Sequence, residues 1–253
     1  METKLDLALI IPAHNEEKRI GKTLQTYCHF FSLVCEKNHC IRELIVVLNG
    51  CTDYTAAIVQ KIAHEYKFIT VLNLTEAGKG HAITEGFKYA LKRNAALIGF
   101  VDADMATSAQ EFYHLIKKID NYDGIIASRY MSSATVIPPR PAIKRWGSKL
   151  VFEPLVKLML GLHYKDLQCG AKLFKRQVIE TIIDHLKERQ WAFDVELLYL
   201  CKLFCFSIKE IPTVWHDRAE SKFRLLKSGL RMLSSVISVR SNHATLKKAQ
   251  KRV

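Results

Sequence analysis

The sequence predicts an α/β fold with a mostly parallel central sheet, followed by C-terminal amphipathic helices. Three observations predict it. Short apolar runs alternate with amphipathic stretches from Leu7 to Ser128, the rhythm of parallel strands joined by crossover helices. Polar clusters close three of those runs: Ala13-His14-Asn15-Glu16, Asn49-Gly50-Cys51-Thr52-Asp53 and Asp102-Ala103-Asp104. In open parallel sheets the ligand crevice lies at such carboxyl ends. Finally, 253 residues that are 49% hydrophobic and 25% charged are enough to bury one core of this kind.

Each element has its own signal. Leu7-Ala8-Leu9-Ile10-Ile11 is a continuous apolar run stopped by Pro12, which suits a strand buried on both faces. Residues 16 to 36 read as a helix, and Glu43 to Leu48 as a second strand ended by Asn49-Gly50. Residues 53 to 66 form the next helix, with Ala56, Ala57, Val59, Ile62 and Ala63 on its apolar face. A third strand runs from Phe68 to Leu72, and a helix follows from about Gly80 to Arg93. The fourth strand, Leu97 to Val101, ends directly at Asp102. Ser108 is placed to cap the helix after it, and Gly124 to Ser128 is a fifth strand.

Beyond Ser128 the pattern changes. Residues 131 to 149 are rich in proline and basic groups and read as a loop entering a helix. Residues 150 to 162 are strongly apolar. From Ser221 onward, lysines and arginines interleave with Phe223, Leu225, Leu226, Leu230, Met232, Leu233, Val236 and Ile237, the pattern of a basic amphipathic helix. The expected organisation is one α/β domain over residues 1–220 and a basic helical tail over 221–253.

The formal net charge of +13 calls for an anionic partner: a phosphate-bearing substrate, nucleic acid or an acidic membrane surface. No nucleic-acid-binding module or aromatic stacking pattern accompanies the charge, so nucleic acid is not an expected partner. The seven cysteines are odd in number and form no CxxC pair. They read as reduced thiols in a cytosolic setting, not as disulfides or a zinc site. No signal peptide precedes Leu5 and no apolar run reaches the ~18 residues of a span. The expectation is a cytoplasmic protein that does not cross a membrane.

Two carboxylates one residue apart at the end of a buried strand, Asp102 and Asp104, can share a hard divalent cation, Mg²⁺ or Mn²⁺. A pyrophosphate would complete the coordination, and the cation would offset charge as a nucleoside diphosphate departs. An isolated DxD is as often a helix cap; the strand in front of it favours the metal. In Gly78-Lys79-Gly80 the glycines let backbone N–H groups approach phosphate, and Lys79 adds charge. The spacing is not that of a Walker loop, and a plain turn is the alternative. Arg129, Arg140, Lys144 and Arg145 form a cationic cluster suited to a phosphate acceptor, or else a solvated basic loop. Asp194 and Glu196 sit among Trp191, Phe193, Val195, Leu197 and Leu198. Carboxylates in such a setting have a partner or a task; a helix cap is the alternative for Asp194. The ten histidines show no ligand spacing, and His14, His81 and His216 are site neighbours at most.

Taken in order, Ile11-Pro12-Ala13-His14-Asn15-Glu16-Glu17, Asn49 to Thr55, Gly78-Lys79-Gly80 and Asp102-Ala103-Asp104 resemble glycosyltransferase family 2, over roughly residues 5 to 225. Within it, Asp102 to Thr107, Ser128-Arg129, Leu167 to Phe174 and Trp191 to Leu198 resemble the dolichyl-phosphate glucosyltransferases and related polyprenyl-phosphate glycosyltransferases. The resemblance implies the Rossmann-like GT-A fold, inversion at the anomeric carbon, a UDP-sugar donor (UDP-glucose) and a polyprenyl or dolichyl phosphate acceptor. It implies that Pro12, Ala13, Asn15 and Glu16 line the nucleoside pocket, which Asn49 to Asp53 would close. Asp104 would be the main metal ligand, and Asp102 would lie near ribose or metal, with Ala103 between them on the donor side. Met105-Ala106-Thr107 is similar to the glucose type, where mannose-type relatives continue with Leu-Ser-His. The chain departs from relatives at Leu48-Asn49, where many carry Asp. It departs again at Ala219-Glu220-Ser221-Lys222, which lacks a Gly before Ser-Lys, and the N-terminal membrane anchor usual in glucose-type relatives is not expected here.

A lipid phosphate is already anionic near neutral pH, its second pKa being ~6. Orientation and charge screening then matter more than a base, and Arg129, Arg140, Lys144, Arg145 and Lys222 would screen. An alcohol acceptor would need a base, for which Asp194 and Asp166 are the candidates. The expected location is peripheral, on the cytosolic face of an anionic membrane. A soluble or protein acceptor, or GDP-mannose as donor, is the alternative. A sugar nucleotidyltransferase would need a Gly-rich basic loop after its first strand, which Ala13-His14-Asn15-Glu16 does not supply.

Overall fold

The computed structural model describes residues 6–35, 41–139, 153–190, 192–217 and 225–250. The first half follows the predicted alternation: β1 (Leu7–Ala13), α1 (Ile20–Cys35), β2 (Ile41–Asn49), α2 (Thr55–Glu65), β3 (Ile69–Leu74), α3 (Lys79–Lys92), β4 (Leu97–Val101), α4 (Ala109–Lys118) and β5 (Gly124–Ser128). Every residue of β1, β4 and β5 is buried, which is why these strands read as unbroken apolar runs. Side chains alternate across β1: Leu7, Leu9 and Ile11 pack with Leu24, Tyr27 and Phe112 on one face. Ala8 and Ile10 pack with Ile83, Phe87, Phe100 and Phe193 on the other. Ser108 caps α4, accepting from the Glu111 N–H at 3.2 Å.

The second half contributes β6 (Thr135–Ile137), α5 (Glu153–Leu160), β7 (Ala171–Lys175), α6 (Arg176–Ile182), a short 3₁₀ turn (Ile183–His185), α7 (Phe193–Leu203), β8 (Ile208–Pro212), β9 (Val214–His216), α8 (Leu225–Asn242) and α9 (Ala244–Gln250). The central sheet has seven strands in the order β3-β2-β1-β4-β7-β5-β8. β7 inserts antiparallel between β4 and β5, and the other pairings in this sheet are parallel. Ala171, at the start of β7, pairs with Val101, at the end of β4, so β7 begins at the carboxyl edge and runs the opposite way. The loop expected over 131–149 is in part strand: Thr135–Ile137 pairs with β9 in a second, two-stranded sheet. Thr107 bridges to Trp215, so β9 lies against the loop that follows Asp104.

α8 and α9 do not stand apart from this body. Val236 and Val239 of α8 are buried with Val156 and Leu160 of α5 and with Val195, Leu198 and Tyr199 of α7. The apolar stretch 150–162 and the basic tail therefore spend part of their apolar surface inside the protein. Leu158, 83% exposed, and Ile237, 49% exposed, face outward. Among the described residues no helix is long and apolar enough to cross a membrane.

Candidate active site

The loops after β1, β2 and β4 meet at one edge because their strands are neighbours. Asn49 ties them together. Buried at the end of β2, its amide donates to Ala13 O at 2.9 Å and accepts from the Gly78 N–H at 3.0 Å. His14 Nδ1 lies 2.7 Å from Asn49 O. Asn15 adopts φ 53°, and its Oδ1 accepts from the Thr52 N–H at 2.8 Å. Asp53 accepts from the N–H groups of Thr55 (3.0 Å) and Glu17 (3.2 Å), fastening the start of α2 to the β1 loop. Glu16 holds Arg19 through two bonds of 2.6 and 2.7 Å. Burial, with added repulsion from Asp104 and Asp102, raises the Glu16 pKa despite Arg19. Asn49 and Asp53 thus brace the β1 and β2 loops with their side chains.

The Asp102-Ala103-Asp104 loop is fixed from both sides. From α1, Thr23 donates to Ala103 O at 2.6 Å and Tyr27 donates to Thr107 O at 2.9 Å. From β9, the His216 N–H donates to Ala106 O at 2.8 Å. Met105 sits at φ 60°, a left-handed conformation costly for a long side chain and typical of constrained site loops. The Asp102 N–H donates to Gly170 O at 2.9 Å, and a Cβ on residue 170 would overlap the Asp102 carboxylate. That contact explains why a glycine stands in Gln168-Cys169-Gly170.

Charges alternate away from the loop. Lys79 Nζ lies 2.8 Å from Asp102 and 3.5 Å from Asp194. Asp194 in turn meets Lys172 at 2.5 Å, and Lys172 also donates to Cys169 O at 2.7 Å. Both ammonium groups lie near the Phe100 ring, at 5.8 and 5.5 Å from its centroid. Burial alone would raise the Asp194 pKa, but Lys172 and Lys79 bring it below its ordinary value. Asp194 therefore has a partner and is not a cap; Ala192 holds the N-cap position of α7. Arg129 and Asp166 form a second pair through bonds of 2.7 Å each, with a further bond from the Arg129 N–H at 2.9 Å. The guanidinium also stacks 4.9 Å from the Trp215 ring centroid. Asp166 is pulled below its ordinary pKa, burial being outweighed by Arg129. Trp215, Thr23 and Tyr27 are not singled out by the sequence, and Lys172 falls within the Leu167 to Phe174 motif without a role of its own. The one clue was Lys172, a charge at a strand position between apolar neighbours. Arg140, Lys144, Arg145 and Lys222 lie outside the described residues.

Asp102 and Asp104 suit a divalent cation. Burial and then the Asp102 charge raise the Asp104 pKa, and a cation would relieve both. Among the described residues no group of three or more His, Cys, Asp or Glu side chains forms a ready cage. Mg²⁺ takes one or two carboxylates together with phosphates and water, so this donor set fits it.

The family model described as glycosyl transferase family 2 matches residues 8–183. The chain is 32% identical to a dolichyl-phosphate beta-glucosyltransferase of Trichomonas vaginalis, over 94% of its own length and 73% of that protein's. It is 30% identical to the dolichyl-phosphate beta-glucosyltransferase of Saccharomyces cerevisiae, over 94% and 75%. Among solved structures it is similar to glucosyl-3-phosphoglycerate synthase of Mycobacterium tuberculosis in complex with Mn²⁺, UDP and glucosyl-3-phosphoglycerate. The TM-score is 0.65 at 18% identity, over 92% of this chain and 77% of that one. The shared architecture is the GT-A fold, and with the family model spanning β1 to β7, the chain belongs to glycosyltransferase family 2.

Proposed function

We propose that the protein transfers glucose, with inversion, from UDP-glucose to a polyprenyl or dolichyl phosphate at an anionic membrane surface. The observation that carries this is the state of the two candidate bases. Asp166 and Asp194 are both clamped by buried cations and held below their ordinary pKa. Neither is poised to take a proton from an alcohol, and an acceptor that arrives as a phosphate anion needs no such step. The names of relatives matching over nine-tenths of the chain support the same acceptor and sugar.

In this reading the β1 and β2 loops, with Pro12, Ala13, Asn15 and Glu16, hold the nucleoside. The Gly78–Gly80 turn and Lys79 meet the diphosphate. Asp102 and Asp104 would hold Mg²⁺ or Mn²⁺, which supplies charge to the departing diphosphate. Asp194 orients Lys79, and Asp166 orients Arg129 toward the acceptor phosphate. Arg140, Lys144, Arg145 and Lys222 add screening charge. Leu158 and Ile237, exposed beside a basic tail, are the candidates for contact with the bilayer.

The test is a transfer panel: UDP-glucose against GDP-mannose with Mn²⁺, each with polyprenyl phosphate, 3-phosphoglycerate or no acceptor. Glucosyl polyprenyl phosphate from UDP-glucose is the expected product. Transfer to the soluble phosphate alone, or from GDP-mannose, contradicts the proposal.

A further inference from the structure

Two residues beyond Asp194 on α7, Glu196 is fully buried and lies away from the Asp102–Asp104 loop. Its Oε2 accepts from the N–H groups of Lys187 at 2.9 Å and Glu188 at 2.7 Å. Its Oε1 lies 2.8 Å from Nε2 of His243, at the junction of α8 and α9 and 1% exposed. With a carboxylate as the only acceptor in that contact, the imidazole donates through Nε2. The backbone pinned in this way is the outer wall of the Gly78–Gly80 turn. The His81 N–H donates to Arg189 O at 3.1 Å, and Gln190 donates to Ala77 O at 3.2 Å. A Cβ on Gly78 would stand 2.6 Å from Arg189 O, and one on Gly80 the same distance from Glu188 O. The two glycines therefore admit the 188–189 backbone against the turn. α7 thus grips the turn twice: Asp194 directly through Lys79, and Glu196 through segment 187–190.

We propose that Glu196 and His243 are positioning residues for the donor: the C-terminal helices, through His243, hold segment 187–190 against the Gly78–Gly80 turn and so set donor affinity. This rests on the reading above that the turn meets the donor diphosphate. It makes residues beyond 220 part of the catalytic unit, because His243 completes a hydrogen-bond set that starts beneath the phosphate turn. Val239 and Val236, four and seven residues before His243 and so on the same helix face, dock on α7.

The test uses full-length wild type, His243→Ala, His243→Gln and Glu196→Gln. Readouts are steady-state kinetics with UDP-glucose and polyprenyl phosphate, and amide exchange. His243→Ala is expected to raise the donor KM about tenfold, the scale of losing an outer supporting contact, with kcat and acceptor KM near wild type. Amide exchange should rise at 187–190 and 78–82 and stay unchanged at β1. The Gln side chain can donate in place of Nε2, so His243→Gln should recover most of the donor KM. Glu196→Gln keeps the shape but leaves a neutral amide oxygen to hold the Lys187 and Glu188 N–H groups, a weaker acceptor than the carboxylate, so exchange at 187–190 should rise, though less than in His243→Ala. An unchanged donor KM with unchanged exchange at 187–190 overturns the proposal. So does an equal rise of both KM values with exchange rising throughout the chain. If wild type turns over no nucleotide-sugar, the functional reading fails while the exchange measurement still decides the coupling.

Discussion

Around Asp102 the loops after β1, β2 and β4 lie side by side because their strands do, and bonds from the side chains of Asn15, Asn49 and Asp53 to backbone groups fasten the edge. Beside it, Arg129, Asp166, Lys172 and Asp194 come from the loop after β5, the loop before β7, β7 itself and α7, and meet as buried ion pairs. The carboxyl-edge loops are thus set by strand order and backbone-directed bonds, whereas the four charged residues are held by pairing in a water-poor interior. An ion pair of that kind contributes little net stability while intact, but is costly when one partner is lost. The two sides should therefore respond differently to substitution.

The largest effect is expected at Lys172, which is fully buried. Lys172→Met leaves Asp194 with only the longer contact to Lys79, and should destabilise the protein by about 3–5 kcal/mol in urea unfolding. Asp53→Ala, in the half-buried loop after β2, should cost about 1 kcal/mol, the usual worth of a cap-type bond. Equal losses would erase the distinction between the sides. Arg129→Lys cannot keep the paired bonds to Asp166, and losing one charge-assisted bond worth ~1.5 kcal/mol predicts about a tenfold rise in acceptor KM. The donor KM should not move.

A smaller effect concerns pH. Asp166 and Asp194 have folded pKa values below their unfolded ones, so their contribution is present above about pH 4 and is lost as pH falls through the folded values. Urea unfolding of wild type and Asp166→Asn should therefore differ at pH 6 and converge as the pH falls through the folded pKa of Asp166. Smallest of all is the thiol pattern. Burial pushes Cys28 and Cys169 up to about 12. Iodoacetamide at pH 8 should modify exposed Cys205 long before Cys28, Cys169 or Cys201, as read by peptide mass analysis.

The same contrast explains what was legible in the residues alone. Leu7–Ile11 and Leu97–Val101 are strands buried on both faces, so their apolar runs announce them, and Asp102 marks the end of one directly. β7 was hidden because Ala171-Lys172-Leu173-Phe174-Lys175 carries two lysines. Its buried lysine is tolerated only because Asp194, 22 residues on, neutralises it. Asp166 and Asp194 looked like candidate bases because their cations, Arg129 and Lys172, come from other elements. The burial of Val236 and Val239 against α7 was equally invisible: an apolar stripe on a basic helix reads the same whether protein or lipid covers it.

The most direct test of Asp102-Ala103-Asp104 as the transfer centre is Asp104→Ala, assayed for Mn²⁺-dependent glucose transfer from UDP-glucose to polyprenyl phosphate. Transfer should fall by at least about 10²–10³-fold, the scale of removing one group that stabilises developing charge. The circular dichroism spectrum and thermal midpoint should match wild type. Undiminished metal-dependent transfer in a folded Asp104→Ala variant would contradict the assignment.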